Sequence, residues 1–176
     1  RSRHLPKLTA VRLVVAAAAL VAVGLVLPDP ALQPVRGAGP GDWHPESFWY
    51  YPWGPSVVHK GVDIFASAGT PVVSASYGVV AFAGTRGAGG KVLLVLGPKW
   101  RLHYYAHLAS IDAVRGSLLR PGDPIGTVGT TGNAAGKPPH LHLACLTLVP
   151  HPWRIDDSPQ GWKKAFFLDP VERITP

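Results

Sequence analysis

The chain has one cysteine and no methionine among its 176 residues. A lone Cys145 excludes an intrachain disulfide, and with no partner pattern near it a thiol nucleophile is not expected. Methionine is missing even at position 1, so Arg1 is not expected to be a natural start. Acidic residues are scarce. Ten Asp and Glu against seventeen Lys and Arg give a formal charge of +7, which favours an anionic partner such as a nucleic acid, a membrane surface or an acidic polymer. No basic run is interleaved with aromatics, so nucleic acid is not the expected partner. The glycine-rich stretch 84–90 lacks the Lys-Ser/Thr ending of a phosphate loop and reads as a hairpin loop. From position 43 onward helical periodicity is hard to find, and no internal repeat occurs.

One long apolar run is present. Arg1, Arg3, Lys7 and Arg12 precede uninterrupted apolar residues over 13–27, and Pro28-Asp29-Pro30 stops the run. A positive flank before such a run fits a secretory signal. Counted back to Leu8, the run also approaches membrane-spanning length, with Arg12 able to extend its charge out of the apolar layer. No small-x-small cleavage site follows, so a cleaved signal and an uncleaved anchor both stand. In either case the positive flank puts the remainder outside the cytoplasm. The expected organisation is a signal or anchor over 1–28, a Pro/Gly linker over 29–42, and one domain over 43–176.

That domain reads as mainly β. Short runs rich in β-formers lie over 70–83, 91–96, 100–108, 125–128 and 140–149, separated by Gly and Pro. Many short strands with turn signals predict an antiparallel sheet folded into a sandwich or open barrel, an open barrel-sandwich hybrid. The Gly-containing stretch 127–136 is expected to be a mobile loop leading into the last of these strands.

Two short motifs carry the chemistry. His59-Lys60-Gly61-Val62-Asp63 pairs an imidazole with a carboxylate, and Pro139-His140-Leu141-His142 sets two histidines two residues apart. Side chains alternate along a strand, so His140, His142 and Ala144 share one face while Leu141, Leu143 and Cys145 share the other. Imidazole and carboxylate are zinc ligands, and three of them with an open position make a hydrolytic site. His59, Asp63 and one of His140 or His142 would complete the set. His103, Tyr105 and His107 alternate on one face of the 100–108 strand, so a third histidine-bearing strand is expected to face the same groove. A remaining histidine pair would serve as general base and transition-state donor.

Read in order, His59-x-Gly61-x-Asp63, Tyr105-Ala106-His107-Leu108, Pro121-Gly122-Asp123-Pro124-Ile125-Gly126, Gly129-x-x-Gly132-Asn133 and Pro139-His140-Leu141-His142 resemble the lysostaphin-type zinc peptidases of bacterial cell walls. The resemblance covers about 57–146. It implies a β-sheet groove with one Zn²⁺ per chain on its floor, held by His59, Asp63 and His142, with His107 and His140 assisting catalysis. It implies cleavage of peptide bonds in peptidoglycan stems or cross-bridges. One departure is Leu143-Ala144 where many relatives carry Phe-Glu, which removes a carboxylate from the groove face. The expected protein is an exported zinc endopeptidase of the cell envelope, membrane-associated if the N-terminal segment stays. A non-catalytic wall-binding module of the same fold and a zinc hydrolase of another exported substrate are the alternatives. Any activating partner is unknown.

Overall fold

The computed structural model describes residues 7–174; Arg1 and Arg3 of the basic flank lie outside that range. The apolar run forms one helix, α1 (Lys7–Val26). Its 18-residue window Thr9–Val26 has a mean hydropathy of 2.3 and none of it is buried, so the helix is long and apolar enough to cross a membrane.

Ten strands follow among the described residues, in two antiparallel sheets. The strands are β1 (Val62–Phe65), β2 (Pro71–Val73), β3 (Gly78–Thr85), β4 (Lys91–Gly97), β5 (Arg101–Ala106), β6 (Leu108–Ile111), β7 (Leu118–Leu119), β8 (Pro124–Val128), β9 (His140–Thr147) and β10 (Phe167–Leu168). The larger sheet runs β1-β9-β5-β4-β3-β7, with β10 also paired to β9; the smaller runs β2-β8-β6. Neither sheet closes into a barrel. This is the mainly β, antiparallel arrangement that the short strands and turns predict, and the open groove is the one the resemblance implies.

Both sheets contribute to one core. Val62 and Ile64 of β1, Val72 of β2, Leu93 and Val95 of β4, Tyr105 of β5, Ile125 and Val128 of β8, and Leu141 and Leu143 of β9 all belong to it. Tyr105 is fully buried, and its hydroxyl accepts the backbone N–H of Ala75 at 2.9 Å, which stitches the large sheet to the chain leaving β2. Burial pushes its phenol up to about 12. Because Val62 and Ile64 point into the core, Asp63 must point the other way. The same parity sends Leu141 and Leu143 inward and His140 and His142 outward, onto the opposite face of the sheet.

The Pro/Gly-rich segment after α1 is not a free tether. The Asp29 carboxylate is buried and ion-paired to Arg101 at 2.5 Å and to Arg173 at 2.6 Å, and it accepts the Ser76 hydroxyl at 2.8 Å. Val35 is fully buried and bridges Val72 on the edge of the smaller sheet. The C-terminal tail likewise packs on the domain. Its β10 pairs with β9, and the Phe167 ring lies 6.0 Å from that of Trp49.

Candidate metal centre

Strand register brings the two motifs together. β1 lies antiparallel to β9 with Asp63 opposite His142, and β5 flanks the other side with Ala106 opposite His142. Directly opposed residues point to the same face, so Asp63 and His142 project side by side into the groove. His59 precedes β1 and turns its buried ring onto the same point. His59 Nε2, Asp63 Oδ1 and His142 Nδ1 lie 3.2, 3.1 and 2.8 Å apart. Ligand atoms around a tetrahedral zinc with bonds of about 2.0–2.1 Å stand roughly 3.3 Å from one another. These three donors already stand close to that spacing, and among the described residues they form a group able to hold a metal ion.

The glycine between His59 and Asp63 has a steric role. A Cβ on Gly61 would sit 2.4 Å from the Leu143 carbonyl oxygen and 2.9 Å from the His142 ring. Only a hydrogen at position 61 lets β1 approach β9 closely enough for the donors to converge.

The protonation of the cluster suits a cation. His59 Nδ1 lies 3.0 Å from the Ser47 carbonyl oxygen, an acceptor only, so Nδ1–H donates and Nε2 carries the lone pair. Trp53 stacks on the same ring at 4.2 Å and fixes its plane. His142 Nδ1–H donates to Asp63 at 2.8 Å; as a neutral ligand through Nδ1 the ring would carry its proton on Nε2 instead. Burial pushes Asp63 up, but the hydrogen bond from His142 and the imidazoles of His142 and His59 beside it outweigh that and hold the carboxyl well below the usual range. Burial pushes His142 below the ordinary imidazole value, and Asp63 offsets part of the effect. Two neutral imidazoles and a carboxylate are the protonation states that zinc requires.

Two further histidines face the cluster. The rings of His107 and His140 are 5.0 Å apart, and His107 is 6.0 Å from His142. His140 Nδ1–H donates to the Pro138 carbonyl at 2.8 Å, and His107 Nδ1–H donates to the Thr131 carbonyl at 2.9 Å. Both rings therefore turn Nε2 toward the groove; that of His140 is 3.9 Å from Asp63 Oδ2. The groove has a volume of about 460 Å³, and its walls include Trp53, Lys60, Phe65, Tyr104, Asn133 and Lys137.

The sequence profile of peptidase family M23 matches residues 57–148, just over half of the chain and all five of these positions. The chain belongs to peptidase family M23. The L-Ala-D-Glu endopeptidase of Bacillus subtilis is 41% identical over 92 residues, covering 48% of this chain and 28% of that protein. Lysostaphin of Staphylococcus simulans is 35% identical over 88 residues, covering 49% of this chain and 17% of that protein. Among solved structures, the catalytic domain of Staphylococcus simulans lysostaphin aligns with a TM-score of 0.53 at 31% identity, covering 57% of this chain and 76% of that one. A zinc containing peptidase from Vibrio cholerae shares the fold with a TM-score of 0.60 at 23% identity, covering 84% of this chain and 41% of that one. The chain spans under a third of the length of both curated relatives. Family M23 comprises zinc-dependent hydrolases of peptidoglycan, some members of which are inactive.

Within this M23 domain the fifth position reaches the groove by an unexpected route. His103 and Tyr105 do not share a face with His107. They pair with Cys145 and Leu143 and point to the core side. His103 is buried near Asp29, with Nε2 3.9 Å from its carboxylate, away from the groove. Burial there pushes His103 below and the Cys145 thiol above their ordinary values, the latter to about 12. Tyr104 and Ala106 are the groove-facing pair of β5. His107 then leaves the strand with φ +64°, a left-handed conformation that reverses the parity and swings its ring back over the groove. Burial lowers its pKa, the Thr131 carbonyl offsets part of the shift, and the like charges of His142 and His140 add to the lowering.

The stretch expected as a mobile loop is tied down. The Thr131 hydroxyl donates to the Leu108 carbonyl and accepts from the Lys91 N–H, while its own carbonyl holds His107. Sequence reasoning did not single out Ser47, Thr131 or Pro138 as partners of the histidines. Thr131 and Pro138 act through a backbone carbonyl, which leaves no mark on residue type, and Ser47 acts through both its carbonyl and its hydroxyl, the latter 2.9 Å from His59 Nδ1.

Proposed function

We propose that the chain is an exported zinc endopeptidase that hydrolyses peptide bonds of peptidoglycan stems or cross-bridges. The observation that carries this reading is the convergence of His59, Asp63, His107, His140 and His142 on one open groove within the M23 match. His59, Asp63 and His142 hold the ion. Zinc bound there supplies a Lewis acid that acidifies water and polarises a carbonyl. The substrate peptide lies along the groove between Tyr104 and Lys137, and Lys60 and Lys137 offer positive charge to its carboxylates. His107, whose Nε2 carries a lone pair, accepts the proton of the attacking water. His107 then returns that proton to the leaving amine, and His140, its ring 5.0 Å from that of His107, would donate to the developing oxyanion from its imidazolium form. Trp53 and the Ser47 carbonyl keep His59 in its ligating orientation. Helix α1 is the signal or anchor that delivers the domain to the cell envelope.

The test is digestion of purified sacculi by the detergent-solubilised full chain, with and without a chelator. Zinc-dependent release of peptides is the expected result. Binding to sacculi without release points to a wall-binding module. A zinc-loaded protein that neither binds nor cuts sacculi points to another exported substrate.

A further inference from the structure

Helix α1 and the domain meet at one defined seat. The Trp100 indole lies against Gly24, the single glycine of α1, where a Cβ would stand 2.5 Å from the ring. The indole N–H donates to the Val21 carbonyl at 3.0 Å. A 20-residue helix is about 30 Å long at 1.5 Å per residue, the thickness of a bilayer's hydrocarbon core. Val21 and Gly24 therefore lie within about 3–8 Å of the end at which the chain leaves that core. A tryptophan touching α1 there is brought to the bilayer boundary, where its amphipathic ring is favoured.

The neighbouring surface is unusually apolar for a water-exposed face. The Leu148 N–H donates to the Trp100 carbonyl at 2.9 Å, so the segment after β9 starts at the same seat. Leu148 is 55% exposed and Trp153 is 76% exposed, with Val149 and Pro152 between them also in solvent. The Thr147 hydroxyl bonds both the N–H and the carbonyl of Val149, which holds this turn in one shape. Exposed Lys99 flanks the patch, and the chain carries a formal +7, which suits an anionic surface. At the exit of α1, Asp29 is clamped by Arg101 and Arg173, so the domain is not free to swing away from the helix.

We propose that Trp100, Leu148, Val149 and Trp153 form a bilayer-contact surface, and that the domain rests on the anionic membrane from which α1 emerges. The proposal rests on α1 being an uncleaved anchor and adds that the globular face itself enters the interface. Trp100 and Trp153 then serve as interfacial anchors, and the groove is held at a fixed height above the lipid.

The experiment uses the full chain reconstituted into phosphatidylcholine–phosphatidylglycerol vesicles with brominated acyl chains, which quench tryptophan on contact. Helix α1 contains no tryptophan, so any quenching reports the domain. Two of the six tryptophans reach the bromines, so roughly a third of the emission should be lost. A Trp100→Phe, Trp153→Phe double variant, conservative enough to fold, should lose nearly all of that quenching. A chain that floats with the vesicles but shows no quenching, or whose quenching is the same in the double variant, overturns the proposal and leaves the anchor standing. A chain that does not float with the vesicles overturns both.

Discussion

Replacing Gly61 by Ala should weaken metal binding and stability together, although position 61 offers no ligand. The added methyl would stand 2.4 Å from the Leu143 carbonyl oxygen and 2.9 and 3.0 Å from Cε1 and Nε2 of His142. The carbonyl belongs to β9, whose Leu143 pairs with Val62 of β1, so relief requires opening the ladder or pushing the His142 ring out of line. Overpacking of this kind costs about 1–3 kcal/mol. In a chain of this size each kcal/mol lowers Tm by about 2–4 °C, so the metal-free protein should melt about 2–12 °C lower. A displaced ligand ring should weaken zinc binding by about 10–100-fold, in the range found when partners that orient a ligand are removed. The zinc-induced rise in Tm should shrink accordingly, because a ligand that binds only the native state stabilises in proportion to the logarithm of its affinity. Competition against a chromophoric chelator measures the affinity and calorimetry with and without zinc measures the stability. Gly41→Ala is the control, since a Cβ at 41 meets nothing within 4 Å. A Gly61→Ala protein that binds zinc as tightly as the parent and melts with it would refute the steric argument.

Other substitutions separate the roles assigned to the groove and the core. His142→Ala should lower the zinc content of the purified chain as well as its activity; full occupancy in that variant removes His142 from the ligand set. His107→Ala should reduce turnover on sacculi by about 10²–10⁴-fold, the usual worth of a positioned base, with zinc retained; an unchanged rate removes it from the mechanism. Asp29→Asn strips the charge from a carboxylate 1% exposed between two arginines. Breaking a buried pair costs about 3–5 kcal/mol, so calorimetry should record a clear drop in Tm, and a thermogram matching the parent's would show the clamp to be inert. Tyr105→Phe leaves the buried Ala75 N–H without its acceptor, at a cost of about 1–3 kcal/mol readable by denaturant titration, where an unshifted midpoint would count against the link.

The two motifs were legible because each writes its geometry into its spacing. Apolar Leu141 and Leu143 fix which face of β9 is inside, and His140 and His142 then have no choice. Val62 and Ile64 do the same for Asp63. The neighbouring strand was read in the wrong phase. Alternation tells which residues of 100–108 share a face, but not which face is the groove. That depends on register with β9, which sets Ala106, not His107, opposite His142. The left-handed φ of His107 then breaks the alternation altogether, and no propensity announces such a residue when it is not glycine. The Pro/Gly segment after α1 was opaque for a different reason. Its docking depends on a buried ion pair with Arg101 and Arg173, residues 72 and 144 positions away.

The strained backbone at His107 also gives the glycine-rich stretch 84–90 a purpose. A left-handed non-glycine residue costs on the order of 1–3 kcal/mol and persists only where its surroundings over-determine it. Here the His107 N–H is held by the Gly89 carbonyl, and its ring by the Thr131 carbonyl. The two supports touch each other. A Cβ on Gly90 would stand 2.3 Å from the Gly132 nitrogen, and one on Gly132 would stand 2.2 Å from the Ala88 carbonyl oxygen, so the two loops interlock only because both positions are glycine. Both also adopt positive φ, +66° and +68°, where a side chain adds strain of its own. The hairpin loop is thus more than a connection between β3 and β4. It is one jaw of a clamp whose other jaw is the 131–132 turn, and the residue it holds is the one assigned here as the base.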